Sequence, residues 1–281
     1  MSVLRRPSLA IAFCTVLALL AGSASLQAAD LFPDKALLAA VRDGLKKGEK
    51  EELKEEDLKN LYFLMGTGKK IANLAGLEKC VNLASIELAK NEIVDLAPLA
   101  GLKNVQTLDL ASNKIVDVTP LAGLEKLQYL QLDKNQIENI EPLKGLKKLT
   151  SLYLSTNKIK SISPVAGLEK LAALYVDHNE ISDISPVKGL KWLERLDLRK
   201  NAVADLSPLA GLTELRYTML QENKVTDLAV LVEMAKKDSA GEKRFAPFWK
   251  LYLKANPLTD AAKTAQVAEL KTYNVRVDLE K

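Results

Sequence analysis

The sequence predicts an α/β solenoid, in which short strands and short helical segments alternate and stack into one elongated domain. Three residue types recur every 22 positions through the middle of the 281-residue chain. The asparagines of this series are Asn91, Asn113, Asn135, Asn157, Asn179, Asn201 and Asn223. The prolines are Pro98, Pro120, Pro142, Pro164, Pro186 and Pro208, and the glycines are Gly101, Gly123, Gly145, Gly167, Gly189 and Gly211. Three residue types that share one period indicate a repeat architecture.

Each repeat begins at an apolar residue, which is Leu83, Val105, Leu127, Leu149, Leu171, Leu193 or Leu215. Seven repeats cover residues 83–234 with the consensus LxxLxLxxNxIxDLxPLxGLxx, which resembles the leucine-rich-repeat pattern. Positions 4 and 6 alternate with polar residues, as Leu130 and Leu132 do around Gln131. A period of two predicts a short strand with one buried face.

The other recurring positions predict how the chain turns between strands. The asparagine at position 9 follows the strand, and its amide is expected to satisfy backbone groups of neighbouring turns. The proline at position 16 suits the first turn of a short helix or 3₁₀ segment, where no N–H is needed. The glycine at position 19 is expected to end that segment with a positive φ. Stacking then places the strands in a parallel concave sheet and the short 3₁₀ or helical segments on the convex side.

A solenoid exposes its core at both ends unless it is capped. Residues 30–82 are predicted to form a helical N-terminal cap and a partial repeat, because their apolar residues begin at helical spacing and end in repeat spacing. Residues 235–247 interrupt the pattern as an insertion. Residues 248–281 are predicted to form a final repeat and a C-terminal cap made of a helix and a closing strand.

Residues 1–29 precede the solenoid and are predicted to be a signal peptide. Arg5 and Arg6 form a basic start, an uncharged apolar stretch follows, and small residues lead up to Ala28 and Ala29. The apolar stretch is shorter than the about 20 residues of a membrane span, which favours a cleaved secretory signal over an uncleaved N-terminal anchor. We therefore expect a secreted protein, or one of the periplasm or cell envelope.

Segments on both sides of the repeats extend the resemblance. The repeats, FPDKALLAAVRDGL before them, and NPLTD with VAELKTYNVRV after them are similar to bacterial exported leucine-rich-repeat proteins of the internalin-like and SDS22-like types. The similarity spans almost all of residues 31–281. It implies a right-handed leucine-rich-repeat superhelix used for recognising proteins. No C-terminal wall anchor or immunoglobulin-like extension is recognisable, so display on the cell surface and host adhesion are not expected.

Composition excludes several function classes. The net charge is +4, and residues 1–29 hold two arginines and no acidic residue, so the remaining charge is too balanced for a nucleic-acid binder. His178 is the only histidine, which leaves little material for a catalytic triad or a zinc site. The segment MGTGKK at residues 65–70 lacks the spacing of a phosphate loop and is interpreted as a cap loop.

From these exclusions we expect a monomer that is not an enzyme. We also expect no cofactor, no metal, no nucleic-acid partner and no transmembrane anchor. Cys80 is the one cysteine outside the predicted signal peptide. It is expected to be a small buried apolar residue, with an intermolecular disulfide as the alternative.

Positions 3, 5 and 7 of successive strands predict the side chains of the concave face. Five of the seven tyrosines occupy position 3 or 5, either because they form a binding patch or because tyrosine favours strands. Their charged neighbours have mixed sign, which suits a protein partner better than a polyanion. The predicted partner-binding residues are Tyr129, Gln131, Asp133, Tyr153, Tyr175, Asp177, Arg195, Asp197, Arg199, Tyr217 and Tyr252.

The sequence therefore favours an exported protein-recognition module that binds its partner on the concave face. One alternative is a structural, envelope-associated scaffold without a specific soluble partner. Another is a phosphatase regulator similar to the eukaryotic SDS22-like proteins. The predicted signal peptide argues against the phosphatase regulator, because that role is intracellular.

Overall fold

The computed structural model describes residues 31–280, and these form a leucine-rich-repeat solenoid with one parallel sheet of ten strands in chain order. The predicted signal peptide at residues 1–29 lies outside the described residues. The strands are β1 Phe63–Met65, β2 Ser85–Glu87, β3 Thr107–Asp109, β4 Tyr129–Gln131, β5 Ser151–Tyr153, β6 Ala173–Tyr175, β7 Arg195–Asp197, β8 Tyr217–Met219, β9 Lys250–Tyr252 and β10 Arg276–Asp278.

Between β1 and β8, short 3₁₀ segments return the chain from one strand to the next. Six of them carry the position-16 proline in their first turn, as predicted. The segments between β1 and β8 are Leu77–Lys79, Ala97–Leu99, Thr119–Leu121, Glu141–Gly145, Ser163–Gly167, Ser185–Gly189 and Ser207–Gly211. Further 3₁₀ segments lie at Glu55–Asn60 and Ala246–Phe248.

The core is a set of stacked apolar rows, one for each inward position of the repeat. Leu130, Leu132 and Ile137, at positions 4, 6 and 11 of one repeat, are each 0% exposed. Full burial of one such side chain contributes about 1.5–3 kcal/mol. Since no single repeat can enclose its own apolar face, neighbouring repeats stabilise one another.

The position-9 asparagines close each turn by hydrogen bonds, as expected. The Nδ2 of Asn135 donates to the carbonyl oxygens of Leu110, Leu132 and Asp133 at 3.1, 3.0 and 3.3 Å. Its Oδ1 accepts from the backbone N–H of Ile115 at 3.0 Å. One amide therefore satisfies backbone groups of two consecutive repeats. The same pattern recurs from Asn91 through to Asn256.

Positive φ angles occur at position 8 rather than at position 19, where they were expected. Lys90, Lys134 and His178 have φ of 57°, 55° and 54°. No position-19 glycine within the described range has a positive φ, so that expectation was wrong. The chain reverses direction directly after the strand, and the asparagine at position 9 stabilises that tight turn.

The N-terminal cap combines a helix with an additional strand. Helix α1, Lys35–Leu45, begins at Asp34, whose Oδ1 accepts from the N–H groups of Ala36 and Leu37 at 2.9 and 3.0 Å. The Oδ2 of Asp34 accepts from Ala72 and Asn73 of the first turn. Burial opposes ionisation of Asp34, but these four N–H donors hold its pKa below the usual value.

Strand β1 extends the repeat register back to Leu61 and was not predicted. Leu61, Leu64 and Ile71 occupy positions 1, 4 and 11 and are 0% exposed. Gly68, in the segment MGTGKK, occupies position 8 and has the φ of 71° that this turn requires. The segment is thus the end of a strand and its turn, which explains its glycine without a phosphate ligand.

The C-terminal cap follows an interruption after β8. Helix α2, Ala229–Ala240, replaces a 3₁₀ segment, and the carboxylate of Asp238 then accepts from the N–H groups of Arg244 and Ala246 at 2.8 and 2.9 Å. After β9, a π-helical segment, Ala262–Gln266, leads into helix α3, Val267–Thr272. Strand β10 then pairs with β9 and closes the sheet.

Two further sequence expectations concern burial and membrane contact. Cys80 is buried, as expected, and burial raises the pKa of its thiol to about 12. Among residues 31–280, no helix is both long and apolar enough to cross a membrane.

Candidate functional site on the concave face

The strand register brings three tyrosines together at the centre of the concave face. Tyr153 lies opposite Tyr175, with ring centroids 4.7 Å apart and an interplanar angle of 12°, which is a stacked arrangement. Tyr129 lies 5.3 Å from Tyr153 at an angle of 42°. All three side chains are half-buried, because each ring covers its neighbour. We call Tyr129, Tyr153 and Tyr175 the tyrosine ladder.

Hydrogen bonds between polar side chains fix Tyr129, the first residue of the tyrosine ladder. The hydroxyl of Tyr129 donates to Oε1 of Gln131 at 2.5 Å, and Nε2 of Gln131 donates to Oδ2 of Asp133 at 3.1 Å. The Oδ1 of Asp133 accepts from the backbone N–H of Ser155 at 2.7 Å. Burial raises the pKa of Tyr129 to about 12, and nearby Tyr153 and acidic residues add to the rise. Tyr129 therefore remains a neutral hydrogen-bond donor at physiological pH.

Burial also raises the pKa of Asp133, and the negative charge of Asp177 acts in the same direction. The hydrogen bonds from Gln131 and Ser155 oppose the rise. Both donors are neutral, so neither of them cancels the negative charge of the ionised Asp133 carboxylate. It places a carboxylate beside the ladder.

Ser155, Asp177 and His178 are adjacent but do not form a catalytic triad. The Ser155 hydroxyl donates to Oδ1 of Asp177, and Oδ2 of Asp177 lies 2.7 Å from Nδ1 of His178. A nucleophilic serine needs a base at its hydroxyl, whereas here the carboxylate stands between the serine and the imidazole. The arrangement fixes the Asp177 side chain, which is 8% exposed.

Asp197 and Arg199 form a buried pair on β7 and the turn after it. Asp197 is 0% exposed, and its carboxylate accepts from Nε of Arg199 at 2.9 Å and from Nη2 at 2.6 Å. Burial raises the pKa of Asp197, and the hydrogen bonds from Arg199 oppose that rise. Asp197 therefore positions Arg199 and offers no surface of its own to a partner.

Cationic side chains surround Tyr217 at the C-terminal end of the face. The guanidinium carbon of Arg195 lies 5.3 Å from the ring centroid, and Nζ of Lys250 lies 4.9 Å from it. These are cation–π distances. Tyr252 lies on the next strand in register with Met219 and is half-buried.

The eleven predicted residues thus occupy positions 3 and 5 of strands β4–β9 and position 7 directly after them. Sequence reasoning missed Phe63 and Met65 of β1, which are 65% and 66% exposed on the same face. Their strand went unrecognised because Gly66 and Lys69 replace the usual leucine and asparagine. It also missed exposed Phe248, over whose ring the Arg216 guanidinium carbon lies at 4.9 Å from the centroid.

Two clefts lie away from the ladder. A cleft of about 380 Å³ is lined by His178, Arg199, Lys200, Gln221, Glu222, Lys254 and Ala255. Another of about 320 Å³ lies beside α2 and the insertion. Neither of these two clefts includes Tyr153 or Tyr175. Between residues 31 and 280, no three His, Cys, Asp or Glu side chains converge on a metal position.

Family models and solved structures agree with this architecture. The model described as leucine rich repeat matches residues 81–137, and the model described as leucine rich repeats (2 copies) matches residues 125–170. A search of curated proteins returns no match.

Among solved structures, internalin C2 from Listeria monocytogenes is 34% identical with a TM-score of 0.72, covering 74% of this chain and 92% of its own. The ectodomain of the receptor kinase GASSHO1/SCHENGEN3 from Arabidopsis thaliana, in complex with Casparian strip integrity factor 2, is 20% identical with a TM-score of 0.64. It covers 80% of this chain and 28% of its own. The plant peptide hormone receptor RGFR1, in complex with RGF2, is 18% identical with a TM-score of 0.59, covering 82% and 45%.

The two plant receptors, at this identity, show the shared fold alone. Internalin C2 is related closely enough, and over enough of both chains, to establish kinship. The chain belongs to the leucine-rich-repeat family, of which internalin C2 is also a member.

Proposed function

We propose that this protein is an exported recognition module that binds a protein partner on its concave face. Leucine-rich-repeat proteins are typically non-enzymatic scaffolds that bind protein ligands, which supports the general class. The observation that carries the proposal is the tyrosine ladder, with its stacked pair at 4.7 Å on the two central strands of the sheet.

The physical basis is preorganisation. Tyrosine offers a large amphipathic surface with few rotatable bonds, and central aromatic anchors carry much of the energy of protein interfaces. Here the rings are already stacked and Tyr129 is hydrogen-bonded, so binding need not order them. Arg195, Arg199 and Tyr217 extend the same surface toward the C-terminal end.

The first experiment is affinity capture from envelope and culture fractions, followed by titration of the captured partner. The double variant Tyr153→Ala/Tyr175→Ala should lose at least about 2 kcal/mol of binding free energy, which is roughly a thirtyfold weaker Kd. Lys170→Ala, an exposed residue outside the concave face, should leave the Kd unchanged. Equal affinity of the folded double variant and the wild type would reject binding at the ladder.

Export is tested separately from binding. We expect the exported protein to begin near Ala28 or Ala29, because the basic, apolar and small-residue regions before them have the order of a cleaved signal. Mass spectrometry of the N-terminal peptide measures this directly. An exported chain that still begins at Met1 or Ser2 would contradict cleavage and favour the uncleaved anchor.

A further inference from the structure

Charge is segregated along the concave face once the strands are placed in order. At positions 3, 5 and 7 of the repeats that contain β1–β6 there is no lysine or arginine. The acidic residues at those positions are Glu87, Asp109, Asp133 and Asp177. In the repeats that contain β7–β10, the basic residues are Arg195, Arg199, Lys250, Lys254 and Arg276, and the acidic residues are Asp197, Asp278 and Glu280. We call these two regions the acidic half and the basic half.

Local contacts determine which of these charges are available to a ligand. In the acidic half, the side-chain and backbone donors to Asp133 are neutral, so no cation cancels its charge. In the basic half, Asp197 is 0% exposed and paired with Arg199, so these two opposite charges compensate each other and the net charge of the half comes from its other residues. The exposed side chain of Arg195 contacts Tyr175 at the end of the ladder, and its guanidinium carbon lies 5.3 Å from the centroid of the Tyr217 ring.

The outer charges of the two halves are far enough apart to act independently, although Asp177 and Arg199 meet where the halves join. Neighbouring strands are about 4.8 Å apart, so Asp109 on β3 and Lys250 on β9 are separated by about 29 Å along the sheet. This exceeds the Debye length of about 8 Å at physiological ionic strength. The half-buried tyrosine ladder occupies β4–β6, between Glu87 and Asp109 on β2 and β3 and the basic residues that begin with Arg195 on β7.

We propose that the partner is a polypeptide of polarised charge, bound in one orientation with its cationic side chains on the acidic half and its carboxylates on the basic half. An aromatic or apolar side chain of the same partner packs on the tyrosine ladder. This inference rests on the proposed concave-face function and adds the chemistry and direction of the ligand. Complementary charge sets orientation and association rate more than total affinity.

A pair of synthetic peptides of identical composition tests the orientation. The blocked peptide has three lysines, a central tryptophan and three aspartates, with two glycines on each side of the tryptophan. Its eleven residues can span about 36 Å. The control peptide has the same residues with lysine and aspartate alternating. We expect the blocked peptide to bind the folded protein about tenfold more tightly at low salt, and to lose that advantage as salt is raised.

A photo-crosslinker at the aspartate end of the blocked peptide reports direction. Crosslinks should map to β8–β10 in the wild type. In the fourfold variant Glu87→Lys/Asp109→Lys/Lys250→Glu/Arg276→Glu, the net charge at positions 3, 5 and 7 changes from −4 to 0 in the acidic half and from +2 to −2 in the basic half. The acidic half is then the less negative of the two, so the crosslinks should move to β2–β4. The matched control Glu125→Lys/Glu169→Lys/Lys147→Glu/Lys170→Glu reverses four exposed charges outside positions 3, 5 and 7 without changing the net charge, and it should leave the wild-type pattern unchanged.

Equal affinity for the two peptides, no measurable binding of either at millimolar concentration, or crosslinks that do not move in the fourfold variant would each overturn the proposal. The captured partner separates this failure from failure of the proposed function. A partner that depends on Tyr153 and Tyr175 but ignores the exchanged charges would leave concave-face binding intact and reject the polarity alone. A partner indifferent to the two tyrosines would reject concave-face binding itself.

Discussion

At the scale of single residues, the position-9 asparagines form hydrogen bonds to buried backbone groups that an apolar side chain cannot form. Each amide lies inside a tight turn where backbone N–H and C=O groups of two repeats face away from water. An unpaired buried polar group costs about 1–3 kcal/mol. The periodicity of the asparagines was therefore sufficient to predict their role, because few other side chains combine a donor and an acceptor at that length.

Replacement of Asn157 by alanine should lower the free energy of unfolding by about 1–3 kcal/mol. The change removes the bonds from Nδ2 to Leu132 and Leu154 at 3.0 Å each, and leaves the N–H of Ile137 without its acceptor at 3.0 Å. Urea melts measure the loss. The neighbouring exposed Lys158→Ala should stay within about 0.5 kcal/mol of wild type. An Asn157→Ala curve that overlays the wild type would mean that water or a backbone shift replaces the amide.

Repeat position alone did not predict the exposure of every residue on the concave face. Tyr153 and Tyr175 were identified from their positions in the repeat, and the register places them in contact. Asp197 was grouped with them as a charged neighbour, yet it is 0% exposed beneath Arg199. Sequence position predicts which face of the sheet a side chain occupies. It does not predict that a longer neighbour will fold over a shorter one.

At the scale of elements, the regular repeats were predictable and the ends less so. Every strand from β2 to β9 follows from alternation at positions 4 and 6, because the period alone determines the buried side. Strand β1 was missed since its repeat lacks the asparagine and has Gly66 at position 6. There the chain is anchored differently, through Asp34 of the α1 cap, whose Oδ2 accepts from Ala72 and Asn73.

Two glycines with different surroundings test how the N-terminal element is held. Gly76 has φ of 99°, and a Cβ there would run into the carbonyl oxygen of Leu31 and the ring of Phe32. We expect Gly76→Ala to destabilise the cap by about 2 kcal/mol or more, because both the backbone conformation and the close approach disfavour a side chain. Thermal melts, with hydrogen exchange of α1 amides, would measure it.

Gly101→Ala is the matched control for that substitution. It lies in the ordinary φ range, and a Cβ would have nothing within 4 Å. Its stability should equal or slightly exceed that of the wild type, because alanine restricts the unfolded chain. Equal losses for the two variants would show that the N-terminal packing around Gly76 is looser than the structure indicates.

At the scale of the whole molecule, the fold is a one-dimensional stack in which each repeat contacts only its neighbours. The sequence period was enough to predict this architecture and the concave face. The segregation of charge between the two halves was not predicted, although the charged residues are all present in the sequence. It becomes visible only when the strands are compared across the sheet rather than along the chain. The charge of a single residue does not show that acidic and basic residues are separated along the sheet.

In a linear stack, a core truncation in an end repeat and one in a middle repeat should reduce amide protection in different sets of strands. Leu270 of α3 and Leu152 of β5 are both 0% exposed, and truncation of either to alanine should cost about 2–5 kcal/mol locally. In Leu270→Ala, amide protection should fall first in β9 and β10, because the cap is bound to one neighbour only. In Leu152→Ala, the loss should centre on β4–β6, which have neighbours on both sides. Native-state hydrogen exchange resolved by strand distinguishes these patterns. If both variants lowered protection uniformly from β1 to β10, the solenoid would unfold as a single cooperative unit, and the nearest-neighbour description would be wrong for this protein.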